Sequence, residues 1–235
     1  MKYNVKILRR ERGGSSSFFD TFCYSSDNNA DTVAAMLTAL NFRDELLDIN
    51  GEKKRPIEWE CSCLQKKCGA CAMVINGRPC LACDAVLSAL GSKITVEPLR
   101  KFPVICDLTV DRSIMFENLK NLRLWLRSDA DINDKCYSLN YESSECIGCG
   151  CCLEICPNFY AGGKFFGMAA VPLTMRLLTE SEIKECKDTA KLYAKHIFAG
   201  CGKSLSCKNV CPKGIDTEKL LVNANAAAVW GKRIK

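Results

Sequence analysis

Cys146-Ile-Gly-Cys149-Gly-Cys151-Cys152-Leu-Glu-Ile-Cys156-Pro157 is the stretch on which the reading of the whole chain turns. Cys146, Cys149, Cys152 and Cys156 stand in the spacing C-x2-C-x2-C-x3-C-P, which holds a cubane iron–sulfur cluster and lends its fourth cysteine to a second cluster. Three thiolates must reach one face within a few residues, and two x2 spacings with small residues do that. Gly148 and Gly150 let the backbone wrap closely and aim N–H groups at sulfur. Pro157 then turns the chain away.

A lent cysteine requires a borrower. Cys201-Gly-Lys-Ser204-Leu-Ser-Cys207-Lys-Asn-Val-Cys211-Pro212 repeats the spacing, with Ser204 where the second cysteine would stand. Exchange of the fourth ligands gives two unequal sites. Cys146, Cys149, Cys152 and Cys211 make a full set for [4Fe–4S]. Cys156, Cys201 and Cys207 are one thiolate short, which suits [3Fe–4S] with the missing iron at the Ser204 corner. Zinc knuckles or a disulfide framework are the plainer readings of many cysteines. Two matched runs, each closing on Cys-Pro, fit neither.

Working outward, the chain has 235 residues, 48% of them hydrophobic, enough for a packed core and two domains. Its 18 cysteines would suggest disulfides in a secreted chain. Met1–Arg10 has no apolar h-region, and Glu11-Arg-Gly-Gly-Ser follows Arg9-Arg10 in place of an export signal, so the expected compartment is reducing and cytoplasmic. No apolar run approaches the roughly 18 residues of a membrane span. The formal charge of +6 would suit an anionic partner. Three oxidised clusters with their thiolates carry roughly −2 each and bring it near neutral, so nucleic acid is not expected.

The first part of the chain reads as strand (Tyr3, Val5, Ile7, Leu8), turn (Gly13–Ser17), strand (Phe18–Tyr24), then a helix capped by Asp31 with Val33, Met36, Leu37 and Leu40 on one face. That order, followed by a cysteine loop, predicts a β-grasp, plant-type ferredoxin-like domain. In the loop, Cys63, Cys68 and Cys71 give C-x4-C-x2-C, the plant-type [2Fe–2S] spacing. Ala72–Ile75, the turn Asn76-Gly77 and Arg78–Cys80 form a hairpin that returns the chain, so either Cys80 or Cys83 can supply the fourth thiolate. A zinc ribbon from Cys68/Cys71 and Cys80/Cys83 would have an eight-residue spacer, shorter than usual, and would leave Cys63 unused.

Ile94–Pro98 reads as a closing strand and Leu99–Pro103 as a hinge, which places the domains at 1–100 and 101–235. Beyond it, helices are expected over Ser113–Arg127, with Leu119, Leu122, Trp125 and Leu126 on a face, over Thr174–Phe198, and over Thr217–Trp230 behind an Asp216 cap. The fold class is therefore α+β: the β-grasp domain, then an α-helical bacterial dicluster ferredoxin-like domain. Cys23, Cys61, Cys106, Cys136, Cys151 and Cys186 are left over, as is Cys80 if Cys83 is the fourth ligand, and read as small packing residues or thiols. The basic tail Trp230–Lys235 reads as solvated.

Taken together, Ser62–Gly69, Leu81-Ala82-Cys83, Pro103-Val-Ile, Asp107-Leu, Val110-Asp111, the Cys146–Pro157 run and Cys211-Pro-Lys-Gly214 resemble the iron–sulfur subunit of succinate dehydrogenase and fumarate reductase over nearly the whole chain. The resemblance implies Cys83 as the fourth [2Fe–2S] ligand and a third position, Cys71, that is Asp in some relatives. It implies a hetero-oligomer with an FAD-containing flavoprotein subunit and a membrane anchor carrying quinone, with or without haem b, and hence a peripheral place on the cytoplasmic face of the cell membrane. The chain would pass single electrons from FAD to quinone, or the reverse, without handling dicarboxylate itself. The quinone vicinity falls at Pro157, Tyr160 and Gly202. It departs from relatives there: Gly202 stands where His or Thr is frequent, and Phe159, Tyr160 and Ala161 where a Trp is frequent. Cys106 likewise stands where Arg is frequent. An alternative keeps the clusters but serves a soluble or peripheral flavoprotein reductase with a thiol or other donor.

Overall fold

A computed structural model describes residues 1–130, 134–181 and 183–230. They divide into two compact units, Met1–Asp111 and Arg112–Lys235.

The first unit is built on two nine-residue strands, β1 (Lys2–Arg10) and β2 (Ser17–Ser25), paired antiparallel from Lys2↔Ser25 to Arg10↔Ser17. Period-two alternation buries Tyr3, Val5 and Ile7. The same period buries Arg9, not Leu8. The guanidinium stays there because carboxylates meet it: Asp20 at 3.3 Å and Asp107 at 3.1 Å. Helix α1 (Val33–Asn41) follows. Its cap is Thr32, whose hydroxyl accepts from Ala35 N–H. Asp31 does not cap it, because its carboxylate is taken by Tyr24, Ser26 and Asn28. Two short strands, β3 (Leu46–Leu47) and β4 (Lys53–Lys54), pair with each other. The expected hairpin forms as β5 (Ala72–Ile75) and β6 (Arg78–Leu81), and Asn76 and Gly77 both take positive φ, 48° and 78°. After one turn, α2 (Leu87–Leu90), strand β7 (Lys93–Glu97) lies parallel to β1 and antiparallel to β5. The sheet order is β2-β1-β7-β5-β6.

The hairpin of β8 (Val104–Cys106) and β9 (Thr109–Val110) belongs to this first unit, past the boundary expected at residue 100. Asp107 holds it there. Its fully buried carboxylate takes Arg55 at 2.7 Å and the N–H groups of Arg10 and Glu58 at 3.0 Å each.

The second unit is helical among its described residues. Helix α3 (Ser113–Asn121) ends well short of Arg127: Arg123 takes φ 55°, and Arg123 and Leu124 donate back to Lys120 and Leu119. Leu122 is consequently buried, while Trp125 and Leu126 are exposed. Next come α4 (Tyr137–Ser144), the single turn α5 (Cys151–Glu154), α6 (Val171–Glu180), α7 (Ile183–His196) and α8 (Thr217–Trp230). The helix expected over Thr174–Phe198 is thus two. Ser181 is extended (ψ 162°) and closes α6 by donating to Leu177. Val171, Met175, Leu178, Tyr193, Leu220 and Ala224 form the core of this unit. Residues 231–235 of the basic tail and 131–133 of the expected polar loop lie outside the described residues.

Candidate iron–sulfur sites

The Cys63–Cys71 loop sits where α1 and the β5–β6 hairpin meet. The first amides of α1 find partners outside the helix: Val33 donates to Ala85 O at 2.9 Å and Ala34 to Ala82 O at 3.0 Å. These bonds fix the turn that carries Cys83. Ala82 N–H in turn donates to Cys71 O at 3.0 Å, tying both cysteine segments together. The loop itself wraps inward, with Leu64 and Lys66 at positive φ. Gln65 and Lys67 amides point at Cys63 Sγ, and the Lys66 amide at Cys83 Sγ, all at 3.3 Å. Successive amides aimed at sulfur form a nest that favours thiolate. They hold the Cys63 thiol down at about 7, Gln65 contributing most and neighbouring Cys68 as well. Cys71 is pushed up to about 12 by burial, with Cys83 and Cys68 as further negative neighbours. Cys63 thus neighbours Cys68, and Cys71 neighbours both Cys68 and Cys83. Cys80 projects from β6 opposite Met73, pushed up to about 11 by burial, and its charged neighbours are Arg78 and Asp84.

In the second unit, two concavities gather the two cysteine runs. One, of about 340 Å³, is lined by Cys146, Cys149, Cys152 and Cys211 together with Gly148 and Gly150. The other, of about 420 Å³, is lined by Cys156, Cys201, Cys207 and Ser204. Each concavity thus takes its thiols from both runs. Gly150 opens α5 at φ 86°, and this left-handed residue turns the chain so that Cys149 and Cys152 share one face. Burial pushes the Cys146 and Cys152 thiols up, Cys152 strongly. Cys149 goes the other way, to about 7, because the Cys151 side chain and amide hydrogen-bond to it and Arg112 lies near. Arg112 Nη1 also donates to Cys149 O at 3.4 Å. Soft thiolates in these sets suit iron–sulfur clusters. Among the described residues no three His, Cys, Asp or Glu groups are placed to hold one metal ion.

Of the residues expected near quinone, Gly202 lines the second concavity, while Tyr160 is 65% exposed and is not among its lining residues. The sequence reading overlooked Asn158. Its amide donates to Gly200 O at 2.7 Å, and a Cβ on Gly202 would come 3.0 Å from Asn158 Nδ2. The space of a side chain at 202 is taken by Asn158, and the signal was an amide directly after Cys156-Pro157. Of the remaining cysteines, Cys23 and Cys61 are exposed, and Cys106, Cys136, Cys151 and Cys186 are buried. Cys106 donates to Arg10 O at 3.2 Å and Cys186 to Ser181 O at 3.2 Å.

Fold and thiol placement define a two-part iron–sulfur protein. Its residues 4–117 match the model of a 2Fe-2S iron-sulfur cluster binding domain and its residues 142–215 that of a 4Fe-4S dicluster domain. The chain is 34% identical to the succinate dehydrogenase iron-sulfur subunit of Bacillus subtilis, over 89% of this chain and 85% of the relative. It is 28% identical to the fumarate reductase iron-sulfur subunit of Escherichia coli O6:H1, over 79% and 78%. A chain of the Mycobacterium smegmatis Sdh1 complex in the apo form shares the fold, with a TM-score of 0.77 at 21% identity, covering 98% of this chain and 97% of that one. The chain belongs to the family of iron–sulfur subunits of succinate dehydrogenase and fumarate reductase, which are subunits of an oxidoreductase complex. Among the described residues no helix is long and apolar enough to cross a membrane.

Proposed function

We propose that the chain carries single electrons through three clusters between an FAD flavoprotein subunit and quinone at a membrane anchor, with the first unit a β-grasp and the second a dicluster ferredoxin-like module. Iron–sulfur clusters accept and release one electron at a time, with potentials set by cluster type, charge and hydrogen bonds. Cys63, Cys68, Cys71 and Cys83 would hold [2Fe–2S]. Cys146, Cys149, Cys152 and Cys211 would hold [4Fe–4S]. Cys156, Cys201 and Cys207 would hold [3Fe–4S]. The observation that carries this reading is the pair of concavities, each lined by thiols of both runs and one of them by Ser204 in place of a fourth.

The work of this chain is to hold the sulfurs, shield them and bias the potential of each site. The Gln65, Lys66 and Lys67 amides do this for the first site. Cys151 and Arg112 do it at Cys149. Pro157, Tyr160 and Gly202 are the vicinity assigned to quinone, where the exposed Tyr160 supplies a hydroxyl and Asn158 an amide. The assembly is then a hetero-oligomer on the cytoplasmic face of the membrane.

The test is EPR on the purified complex. Oxidised protein should give the near-isotropic [3Fe–4S] signal, and reduction should bring up [2Fe–2S] and [4Fe–4S]. Ser204→Cys should convert the three-iron site towards a four-iron one. Full iron with no oxidised signal overturns the three-iron assignment. Co-purification with a flavoprotein but no quinone-binding subunit moves the reading to a soluble reductase.

A further inference from the structure

Lys66 stands at φ 60°, a left-handed backbone conformation that is unfavourable for a residue with a side chain. Such a conformation persists only where the surroundings over-determine it. Two contacts do so at Lys66, and both lead to one turn. Its amide donates to Cys83 Sγ at 3.3 Å. Its ammonium meets Asp84 Oδ2 at 2.7 Å. Lys66 thus grips two consecutive residues, one through its main chain and one through its side chain. The amides on either side, of Gln65 and Lys67, serve Cys63 within the loop, so Lys66 is the residue turned the other way. The turn is also tied to the end of the loop, where Ala82 N–H donates to Cys71 O at 3.0 Å. Lys66 adds a second tie at the loop's middle.

We propose that Lys66 and Asp84 are a positioning pair for the [2Fe–2S] site: their ion pair clasps the loop onto the turn and holds the Lys66 amide on Cys83 Sγ, which raises the potential at which the cluster takes up an electron. The sign follows from charge. Reduction adds one negative charge, shared by the cluster and its thiolate sulfurs, and a donor to sulfur stabilises the more negative state. Both side chains are 41% exposed, and an ion pair at that exposure adds little to the stability of the fold. Its use is local, to keep a strained amide aimed. The clasp and the bare charge of Asp84 act in opposite directions. A carboxylate near the cluster by itself lowers the potential, so its removal would raise it. Its removal from the clasp loosens the amide and lowers it. This inference rests on the proposed ligand set, with Cys83 as the fourth thiolate, and extends it to two residues that are not thiols.

The experiment is an EPR-monitored redox titration of the [2Fe–2S] signal in the assembled complex. Asp84→Ala should lower the reduced-to-oxidised ratio at a fixed potential by about 2–5-fold, the span that one exposed ion pair can shift. Fivefold corresponds to about 40 mV for one electron, at about 59 mV per tenfold. Lys66→Met combined with Asp84→Ala leaves the net charge as it was and keeps the amide, and its ratio should fall at least as far. Asp84→Glu keeps the carboxylate and should titrate close to the unsubstituted protein. If Asp84→Ala does not retain the cluster, Asp84→Asn gives the same test of sign. A potential that rises or stays in place when the carboxylate is removed overturns the inference alone. Absence of the [2Fe–2S] signal from the unsubstituted protein, or its survival in Cys83→Ala, overturns the ligand assignment and the inference with it.

Discussion

The cysteine loop of the first unit and the paired concavities of the second solve the same problem in opposite ways. Cys63 and Cys68 sit on a surface loop, and Cys68 is exposed. The Cys63 thiolate is favoured by the amides of Gln65 and Lys67. The sheet beneath has a core of its own, with Val5, Ile7, Phe22, Met36 and Leu40 fully buried and independent of any thiol. In the second unit Cys146, Cys152, Cys207 and Cys211 pack directly against the hydrophobic core, and burial disfavours the charged forms of Cys146, Cys152 and Cys207. The first unit thus presents Cys63 and Cys68 on a loop beside a separately packed core, whereas the second sets its thiols against the core itself.

The largest effect should therefore come from iron removal. Chelation of the whole protein should unfold the second unit while β1 and β2 keep their amide protection, because metal binding there is folding free energy. Hydrogen exchange on the intact chain reads both at once, and equal loss in the two units would erase the contrast. Next in size, Cys83→Ala should abolish the [2Fe–2S] signal, and Cys80→Ala should leave it. The reverse pattern would move the fourth ligand from the turn anchored by Ala82 to the strand before it.

A third effect sharpens the claim that the first unit stands alone. Burial raises the Asp107 carboxyl, but Arg9 and the amides of Glu58 and Arg10 outweigh it and hold the group below 3.8. Asp107→Asn leaves buried Arg9 with Asp20 as its remaining carboxylate, weakens the hold on Arg55, and should cost about 1.5–3 kcal/mol. A carboxyl depressed on folding stabilises above its unfolded pKa and loses that share as pH falls through the folded value. Denaturation of the iron-free protein should show a constant gap between the two proteins from neutral pH down to about 4, narrowing only below 3.8. A gap that closes at higher pH would mean that Asp107 is not held low.

The smallest effect is expected at the exposed Tyr160. Tyr160→Phe should weaken quinone reduction by the worth of one hydrogen bond, about 0.5–1.5 kcal/mol, with artificial-dye reduction unchanged. Unchanged quinone turnover would remove the Tyr160 hydroxyl from the proposed quinone vicinity.

Cysteine spacing made both site types legible, since cluster ligation is a short-range constraint that few other patterns satisfy. The Asn76-Gly77 turn and the Asp216 cap were legible for the same local reason. What stayed hidden depended on partners far away in sequence. Asp31 and Thr32 are both good caps, and only the bonds of Asp31 to Tyr24, Ser26 and Asn28 decide between them. Arg9 reads as a surface residue until Asp20 and Asp107 are placed beside it. The break at Ser181 carried one local sign, a capping residue type inside an otherwise continuous helical pattern.

The parallel pairing of β1 with β7 also sets a timetable. Asn4–Ile7 can meet Lys93–Val96 only after both have left the ribosome. At roughly 5–20 residues per second, about 4–17 s of synthesis separate them. Cys63, Cys68, Cys71 and Cys83 are all translated within that interval. They emerge before the sheet that will frame them has closed, as thiols open to oxidation and to stray metals. Loading of the first site in its closed sheet therefore waits at least for β7 to emerge, and its yield should fall in cells short of a dedicated source of iron and sulfide.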